Sequence, residues 1–314
     1  MRILGCIGTF NHDISDSLKG LLQQTHPVEH ILLVDNMSTR NVIPEPLPRG
    51  VEVVRTEKNI GPNSAIRAGL EYALANGYEW IWLLESDGVA EPDSLEKLIG
   101  LNRSLDPSLR SAVGILCSTQ VLLPSGNLFQ GRRLTKGGPR LPIVHASVPY
   151  CECDSVMWNG SLINLKAVRE VGFPRSGTNG AWEDLSYDFG DTEYTYRIRA
   201  AGYRLLVHTN SFVLHRTGSP KSIRLLGRDW HSTNHSPARR YLFFRNLVYF
   251  WLHIYPAKNW PLFLLWFCYR FSAISLGIVV IEEDIFRKIH ACLRGIRDGW
   301  KGDLQKEYGA PPAG

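Results

Sequence analysis

Short runs of consecutive apolar residues recur along the first part of the chain, several of them ending in a polar or acidic residue. Ile3-Leu-Gly-Cys-Ile-Gly8, His30-Ile-Leu-Leu-Val-Asp35, Val51-Glu-Val-Val54 and Trp80-Ile-Trp-Leu-Leu84 are of this kind. Runs of that length, rich in branched and aromatic side chains, suit strands buried on both faces. Between them the spacing turns helical. Residues 16–24 place apolar side chains at 18, 21 and 22 behind an Asp or Ser cap. A second helix grows out of Asn59-Ile-Gly-Pro-Asn-Ser-Ala-Ile-Arg67 and reaches Gly77, with Ala65, Gly69, Tyr72 and Ala73 on one side. The alternation β-α-β-β-α-β predicts an α/β fold with a mixed, mostly parallel sheet flanked by helices.

Further along, residues 111–121 predict another strand pair, and residues 123–148, rich in Gly, Pro and Arg, an active-site loop or hairpin. Residues 155–164 suggest strand, turn and strand, and residues 166–171 a short helix stopped by Gly172. Asp191 opens a helix in which Tyr194, Ile198 and Ala201 keep a helical spacing and Gly202 ends it. Residues 203–207 and 212–215 are expected as two short strands. No internal repeat or low-complexity stretch interrupts the pattern.

Past about residue 220 the texture changes. Residues 241–252 and 261–281 are strongly apolar and aromatic, with Arg245 and Arg270 inside them. Residues 262–281 have nearly the length of a membrane span, but Arg270 near the middle is costly in a bilayer. Helices lying on a membrane surface and packing on the folded domain are favoured over a true span; a buried core helix also fits. Charge follows the same division. Residues 221–314 hold 14 Lys/Arg against 7 Asp/Glu, whereas residues 1–220 hold 21 against 23. A near-neutral enzyme core of residues 1–220, with a nucleotide half of about 1–120 and an acceptor half of about 121–220, is thus expected to carry a basic tail, 221–314, that meets an anionic surface.

The 314 residues can bury a large core, and 44% hydrophobic with 21% charged residues excludes disorder and a bundle of membrane spans. Residues 3–8 are expected to be a strand rather than a secretory signal, with one basic residue ahead and no cleavage site after. The six cysteines include one C-x-C, Cys151-Glu-Cys153, and no second pair, so free thiols are expected rather than a zinc site. Nucleic-acid binding is not expected, because the basic residues interleave with aliphatic faces instead of forming a polar groove.

The chemistry is expected at the ends of these elements. Glu85 and Asp87 follow the apolar run 80–84 directly, and residues two apart on an extended chain point the same way. Strand ends are where open α/β sheets bind ligands, so this acidic pair suits a divalent cation bridging a diphosphate, Mn2+ or Mg2+ by its oxygen ligands. On the tripeptide alone a solvated acidic turn is the commoner reading, because short acidic motifs are frequent. Asp35, Asp87, Asp191 and His215 all fall at element ends, which converge on one rim of a parallel sheet.

With these pieces in place the chain resembles the inverting nucleotide-sugar glycosyltransferases of family 2, with the GT-A fold. The resemblance rests on Thr9-Phe-Asn11, Leu33-Val-Asp-Asn-Met-Ser-Thr39, Asn59-Ile-Gly-Pro-Asn-Ser-Ala-Ile-Arg-Ala-Gly69 and Leu84-Glu-Ser-Asp87. It continues through Asp191-Thr-Glu-Tyr-Thr-Tyr-Arg-Ile-Arg-Ala-Ala-Gly-Tyr203 and His215-Arg-Thr-Gly218. These cover residues 1–220 in order. Tyr241-Leu-Phe-Phe-Arg-Asn246 more loosely resembles a helix of bacterial rhamnosyl- and galactofuranosyltransferases of that family.

The resemblance implies a UDP- or dTDP-sugar donor and a hydroxyl acceptor on a cell-surface polysaccharide or polyprenyl-linked glycan, at the cytoplasmic face of the membrane. It assigns Asp35 to the nucleobase or ribose, with Thr9, Asn11 and Asn59 in the same pocket. Arg67 either approaches the diphosphate or supports its helix. Asp87 and His215 are the implied metal ligands, while Glu85 stands where the family's D-x-D motif has its first Asp and keeps a ribose or water-mediated metal contact open. Asp191 is the implied general base, with Glu183 or Asp184 in reserve and on the acceptor side. Trp158 either stacks on an acceptor sugar or belongs to the core. A homo-oligomer is compatible with all of this. Two other readings compete: a nucleotidyltransferase, which Thr9-Phe-Asn-His-Asp13 disfavours for want of a glycine-rich loop, and a degenerate scaffold protein, supported only by Glu85.

Overall fold

The computed structural model describes residues 1–304 apart from 58, 60, 141–147, 176–184, 186, 217–220, 226 and 256–258. The first half runs β1 (Ile3–Thr9), α1 (Ser15–Leu22), β2 (His30–Asp35), β3 (Val51–Arg55), α2 (Pro62–Ala75), β4 (Trp80–Glu85), β5 (Gly88–Ala90), α3 (Ser94–Ser104) and α4 (Pro107–Ala112). Then follow β6 (Val113–Leu123), β7 (Asn127–Phe129), β8 (Arg133–Thr135), β9 (Gly138–Arg140), β10 (Tyr150–Cys153), β11 (Ser161–Asn164), α5 (Leu165–Val171), α6 (Gly190–Ala200) and β12 (Arg204–Arg216). A hairpin of β13 (Lys221–Leu225) and β14 (Arg228–Ser232) leads to α7 (Pro237–Tyr249), a π-helical turn (Phe250–Ile254), α8 (Trp260–Ile281) and α9 (Ile285–Trp300).

The main sheet has the order β10-β12-β6-β11-β4-β1-β2-β3. Strands β1 to β4, β6 and β12 run one way, and β10 and β11 run against them. The period-two alternation of a strand decides what each face meets. Leu4, Cys6, Ile81 and Leu83 pack on one face with Ala65, Leu70 and Ala73 of α2 and with α5 and α6. Ile3, Ile7, Trp80, Trp82 and Leu84 pack on the other with Leu18 and Leu21 of α1 and Leu95 and Leu98 of α3. Both faces are covered, which is why these strands read as unbroken apolar runs.

Three expectations need correction. The stretch 111–121 is not a strand pair but the single strand β6. The two short strands at 203–207 and 212–215 are one long strand, β12, whose register against β6 shifts between His208 and Phe212. That irregularity absorbs polar residues that look like a turn in the sequence. Residues 155–160 hold no strand beyond one isolated bridge at Ser155; only Ser161–Asn164 extends.

The C-terminal elements form their own apolar cluster around Phe244, Phe250, Trp251, Phe263 and Ile278. It rests on the β8–β9 hairpin through Leu134, and Tyr255 Oη donates to the Leu134 carbonyl at 3.1 Å. Helices α7 and α9 cross so closely that a Cβ at Gly295 or Gly299 would run into the Tyr241 or Arg245 carbonyl. Among the described residues α8 is a helix long and apolar enough to cross a membrane, and only 6% of its apolar stretch is buried. One side of it nevertheless packs on β9, β14 and α9.

Candidate active site

The site grows from the turn after β4. Glu85 ends that strand, and the short β5 pairs antiparallel with β12 so that His215 lies opposite Gly88. The Arg216 N–H donates to the Asp87 carbonyl at 3.1 Å, and Ser17 Oγ donates to the Ser86 carbonyl at 2.8 Å. Helix α1 and strand β12 thus clamp the acidic turn from two sides. His215 Nε2 consequently stands 3.3 Å from Asp87 Oδ2 and 4.0 Å from Glu85 Oε2. One ligating atom from each of the three lies within 4.8 Å of the others.

A layer of buried amides backs this triad. Gln120 on β6 accepts from His215 Nδ1 through Oε1 at 2.9 Å, and its Nε2 donates to the Asn159 carbonyl at 3.0 Å. Asn159 Oδ1 accepts from the Glu85 N–H at 3.2 Å. Gly88 lies so close to Asn159 that a Cβ there would overlap the side-chain amide. The buried Asn159 Nδ2 has no hydrogen-bond partner among the described residues.

Electrostatics single out the same place. Burial, then the neighbouring Asp87, push Glu85 up to about 7, with Asp191 adding to the rise and His215 and Arg239 opposing it. For His215 burial works against the charged ring, but the hydrogen bond it donates to Asp87 and the charges of Glu85 and Asp87 outweigh it, so its pKa lies above the ordinary value. Burial also raises Asp188 to about 6, against the pull of Arg239, whose Nε lies 3.6 Å from Asp188 Oδ2. A site whose burial drives Glu85 toward protonation suits a divalent cation, which would hold that carboxylate ionised and the imidazole neutral. Two carboxylates and one imidazole are a donor set for Mn2+, and less well for Mg2+.

Asp191 sits in the first turn of α6, after Phe189 in the left-handed conformation at φ 73°. Its Oδ1 accepts from the Thr192 N–H at 2.6 Å and from Thr192 Oγ1 at 3.2 Å; neither bond uses Oδ2. Its charge adds to the rise of both Glu85 and Asp188.

A cavity of about 810 Å³ has a lining that includes Asp35, Ser38, Arg40, Val53 and Arg55. Asp35 is buried, accepts from the Ser38 N–H at 2.9 Å and has Arg55 Nε 3.5 Å away. Thr9, Asn11 and Asn59 hold loops around it. Thr9 Oγ1 donates to the His12 carbonyl at 2.8 Å, Asn11 Oδ1 accepts from the Thr39 N–H at 2.8 Å, and Asn59 Oδ1 accepts from Asn36 Nδ2 and the Gly61 N–H, each at 3.0 Å. Arg67 pairs with Glu71 at 2.7 Å and lies over the Phe173 ring, the helix-supporting alternative.

Trp158 is a core residue: it is 4% exposed and packs on Tyr194 with ring centroids 5.5 Å apart, so its ring offers no open face to a sugar. Glu183 and Asp184 lie outside the described residues. Gln120 and Arg239 went unnoticed in the sequence. Gln120 lies in an apolar strand, where a lone amide was the available signal; Arg239 depends on helix placement that no local pattern encodes.

Residues 6–108 match the model of Glycosyl transferase family 2. Galactofuranosyltransferase GlfT1 of Mycobacterium tuberculosis (strain ATCC 25618 / H37Rv) is 30% identical over 83 residues, 25% of this chain and 27% of that protein. GlfT1 of Mycolicibacterium smegmatis is 25% identical over 170 residues, 51% of this chain and 55% of that protein. The chain therefore spans between about a quarter and just over half the length of the curated relatives it matches. Among solved structures, GalNAc-T7 with UDP, GalNAc and Mn2+ superposes with a TM-score of 0.55 at 16% identity, over 80% of this chain and 47% of that one. Staphylococcus aureus TarS 1–349 in complex with UDP-GlcNAc gives 0.55 at 14% identity, over 97% and 88%. At these identities the likeness is one of fold.

Proposed function

We propose, from the match of residues 6–108 to glycosyl transferase family 2 and the geometry of the site, that this chain is an inverting, metal-dependent glycosyltransferase. It moves a sugar from a UDP- or dTDP-sugar to a hydroxyl of a cell-surface polysaccharide or polyprenyl-linked glycan. The observation that carries the reading is the meeting of Glu85, Asp87 and His215 at the strand ends. The relatives named galactofuranosyltransferase make UDP-galactofuranose the first donor to try. The neighbours crystallised with UDP or UDP-GlcNAc support a uridine nucleotide in the Asp35 cavity.

Asp87 and His215 would hold Mn2+ or Mg2+, with Glu85 beside them. When bound, the cation neutralises charge that grows on the departing diphosphate. Asp35 accepts hydrogen bonds from the nucleoside, whose imide and hydroxyl groups are donors. Asp191 stands in the first turn of α6, where the helix N-terminus favours a negative side chain. An acceptor hydroxyl that attacks the anomeric carbon opposite the diphosphate passes its proton to this carboxylate.

The tail fits an acceptor held at a membrane on its cytoplasmic face. Helix α8 turns Leu265, Tyr269, Leu276 and Val279 outward, and α9 exposes Phe286, Leu293 and Trp300, seven residues apart on one line. Arg287, Arg294 and Lys301 follow that line one residue on, which is the dress of a helix lying on an anionic surface.

The test is transfer from UDP-galactofuranose and a panel of UDP- and dTDP-sugars with Mn2+, using polyprenyl-linked glycan acceptors. Asp191→Asn is expected to lose transfer by at least about a hundredfold while still binding donor. Near wild-type transfer by that variant removes Asp191 from the role.

A further inference from the structure

We infer that Gln120 is a positioning residue that fixes the His215 imidazole in the tautomer able to ligate a divalent cation. The inference rests on the metal-site reading above and adds the residue that makes His215 a ligand.

The argument starts from what each atom can do. Gln120 is 1% exposed, so its amide has no water to turn to. Its Nε2 lies 3.0 Å from the Asn159 carbonyl, which can only accept. A flipped amide would set oxygen against oxygen there, so the NH2 group belongs on that side. Oε1 then faces His215 Nδ1 at 2.9 Å, and a carbonyl oxygen carries no hydrogen. Nδ1 must therefore hold the proton. The lone pair of the neutral ring falls on Nε2, the atom 3.3 Å from Asp87 and 4.0 Å from Glu85. An imidazole presents one nitrogen to a metal, and the partner of the other nitrogen decides which.

The same amide layer reaches the acidic ligand. Asn159, whose carbonyl orients Gln120, accepts from the Glu85 N–H through its side chain. Gly88 leaves the room this needs, opposite His215 in the β5–β12 pair. One buried relay, from β6 through Asn159 to the end of β4, thus sets the orientation of His215 and the position of Glu85 together.

The test measures Mn2+ binding by the full chain, by calorimetry and by the electron spin-echo modulation that a ligating imidazole nitrogen imprints on Mn2+. Gln120→Met keeps the volume and removes the acceptor. It is expected to weaken Mn2+ binding about 10- to 100-fold, the usual cost of losing a ligand's supporting partner, and to lose the nitrogen modulation. Gln120→Glu keeps an acceptor for the Nδ1 proton and, as the neutral acid, a donor to the Asn159 carbonyl, and is expected to bind Mn2+ at least as tightly as the wild type, with the modulation intact. A role in packing alone would spare the modulation in Gln120→Met, or would make the buried carboxylate of Gln120→Glu the more harmful change; either result overturns the inference. Should Gln120→Met fail to fold, the folded Gln120→Glu chain decides: retained nitrogen ligation supports the inference and its loss overturns it. His215→Ala separates the two levels. If it leaves wild-type Mn2+ affinity unchanged, the metal-site reading falls and takes this inference with it; if His215→Ala loses Mn2+ while Gln120→Met keeps it, only the role of Gln120 falls.

Discussion

Removal of the Glu282 carboxylate should be among the most damaging single changes in the C-terminal region. Its side chain is fully buried, at 0% exposure, in the turn between α8 and α9. It accepts from Ser232 Oγ on β14, from Arg240 Nη2 on α7 at 2.5 Å, from the Asn234 N–H at 3.2 Å and from Lys288 Nζ on α9 at 2.7 Å. Burial alone would raise its pKa, but the bonds from Lys288 and Ser232 and the charge of Arg240 outweigh that and hold it below the ordinary value. Its stabilising contribution is therefore complete above the unfolded carboxylate range and disappears as the pH falls through the lower folded value. Glu282→Ala leaves Arg240 and Lys288, each at most 6% exposed, without their counter-charge. Breaking a buried pair in this way costs about 3–5 kcal/mol, far more than the 0–1 kcal/mol of a surface pair. Urea unfolding followed by tryptophan fluorescence and circular dichroism reads this directly. The combination Glu282→Met with Lys288→Met should recover part of the loss, because an apolar replacement leaves fewer charges stranded. A loss below about 1 kcal/mol in Glu282→Ala would refute the claim that this carboxylate ties three elements together.

Other expectations follow from the same reasoning. Burial, with Arg239 and Arg240 nearby, pushes His235 down to about 3. The unfolded chain takes up a proton below about 6.5 that the folded ring refuses, so stability is full above that pH and falls by about 2 kcal/mol by pH 5; His235→Asn should flatten that slope in pH-dependent melting curves. Gly88→Ala forces Asn159 out of place and should cut Mn2+ affinity at least tenfold in a calorimetric titration, whereas Gly100→Ala, where a Cβ meets nothing within 4 Å, should leave it unchanged. Replacing Phe286, Leu293 and Trp300 together by Ser should abolish flotation with phosphatidylglycerol vesicles, since each buried side chain is worth about 1.5–3 kcal/mol. Flotation unaffected by that triple change would remove α9 from the membrane role.

The sheet was legible because burial on both faces leaves a plain trace. The apolar runs ending at Asp35 and Glu85 are strands β2 and β4, and the periodicity after Asp191 is α6. The length of β12 was hidden because His208 to Ser211 are polar in a strand whose register shifts there. The hairpin of β13 and β14 carries no regular alternation and was missed for the same kind of reason. At the site, acids at element ends could be found from sequence, and Glu85, Asp87 and His215 do meet. The pairing that joins them could not, since β5 is three residues long and finds β12 more than a hundred positions away. Trp158 shows the opposite limit: an aromatic residue beside Asn159-Gly160 has the composition of a sugar platform, yet three-dimensional packing puts it under Tyr194.

The most direct test of the central claim is a calorimetric titration of UDP into the full chain with Mn2+ and again with EDTA. The cation held by Asp87 and His215 is expected to join protein and diphosphate. Removing it should weaken UDP binding at least tenfold, and Asp87→Ala should behave with Mn2+ as the wild type does with EDTA. UDP affinity that is the same with and without the cation, or the same in Asp87→Ala, would contradict the account.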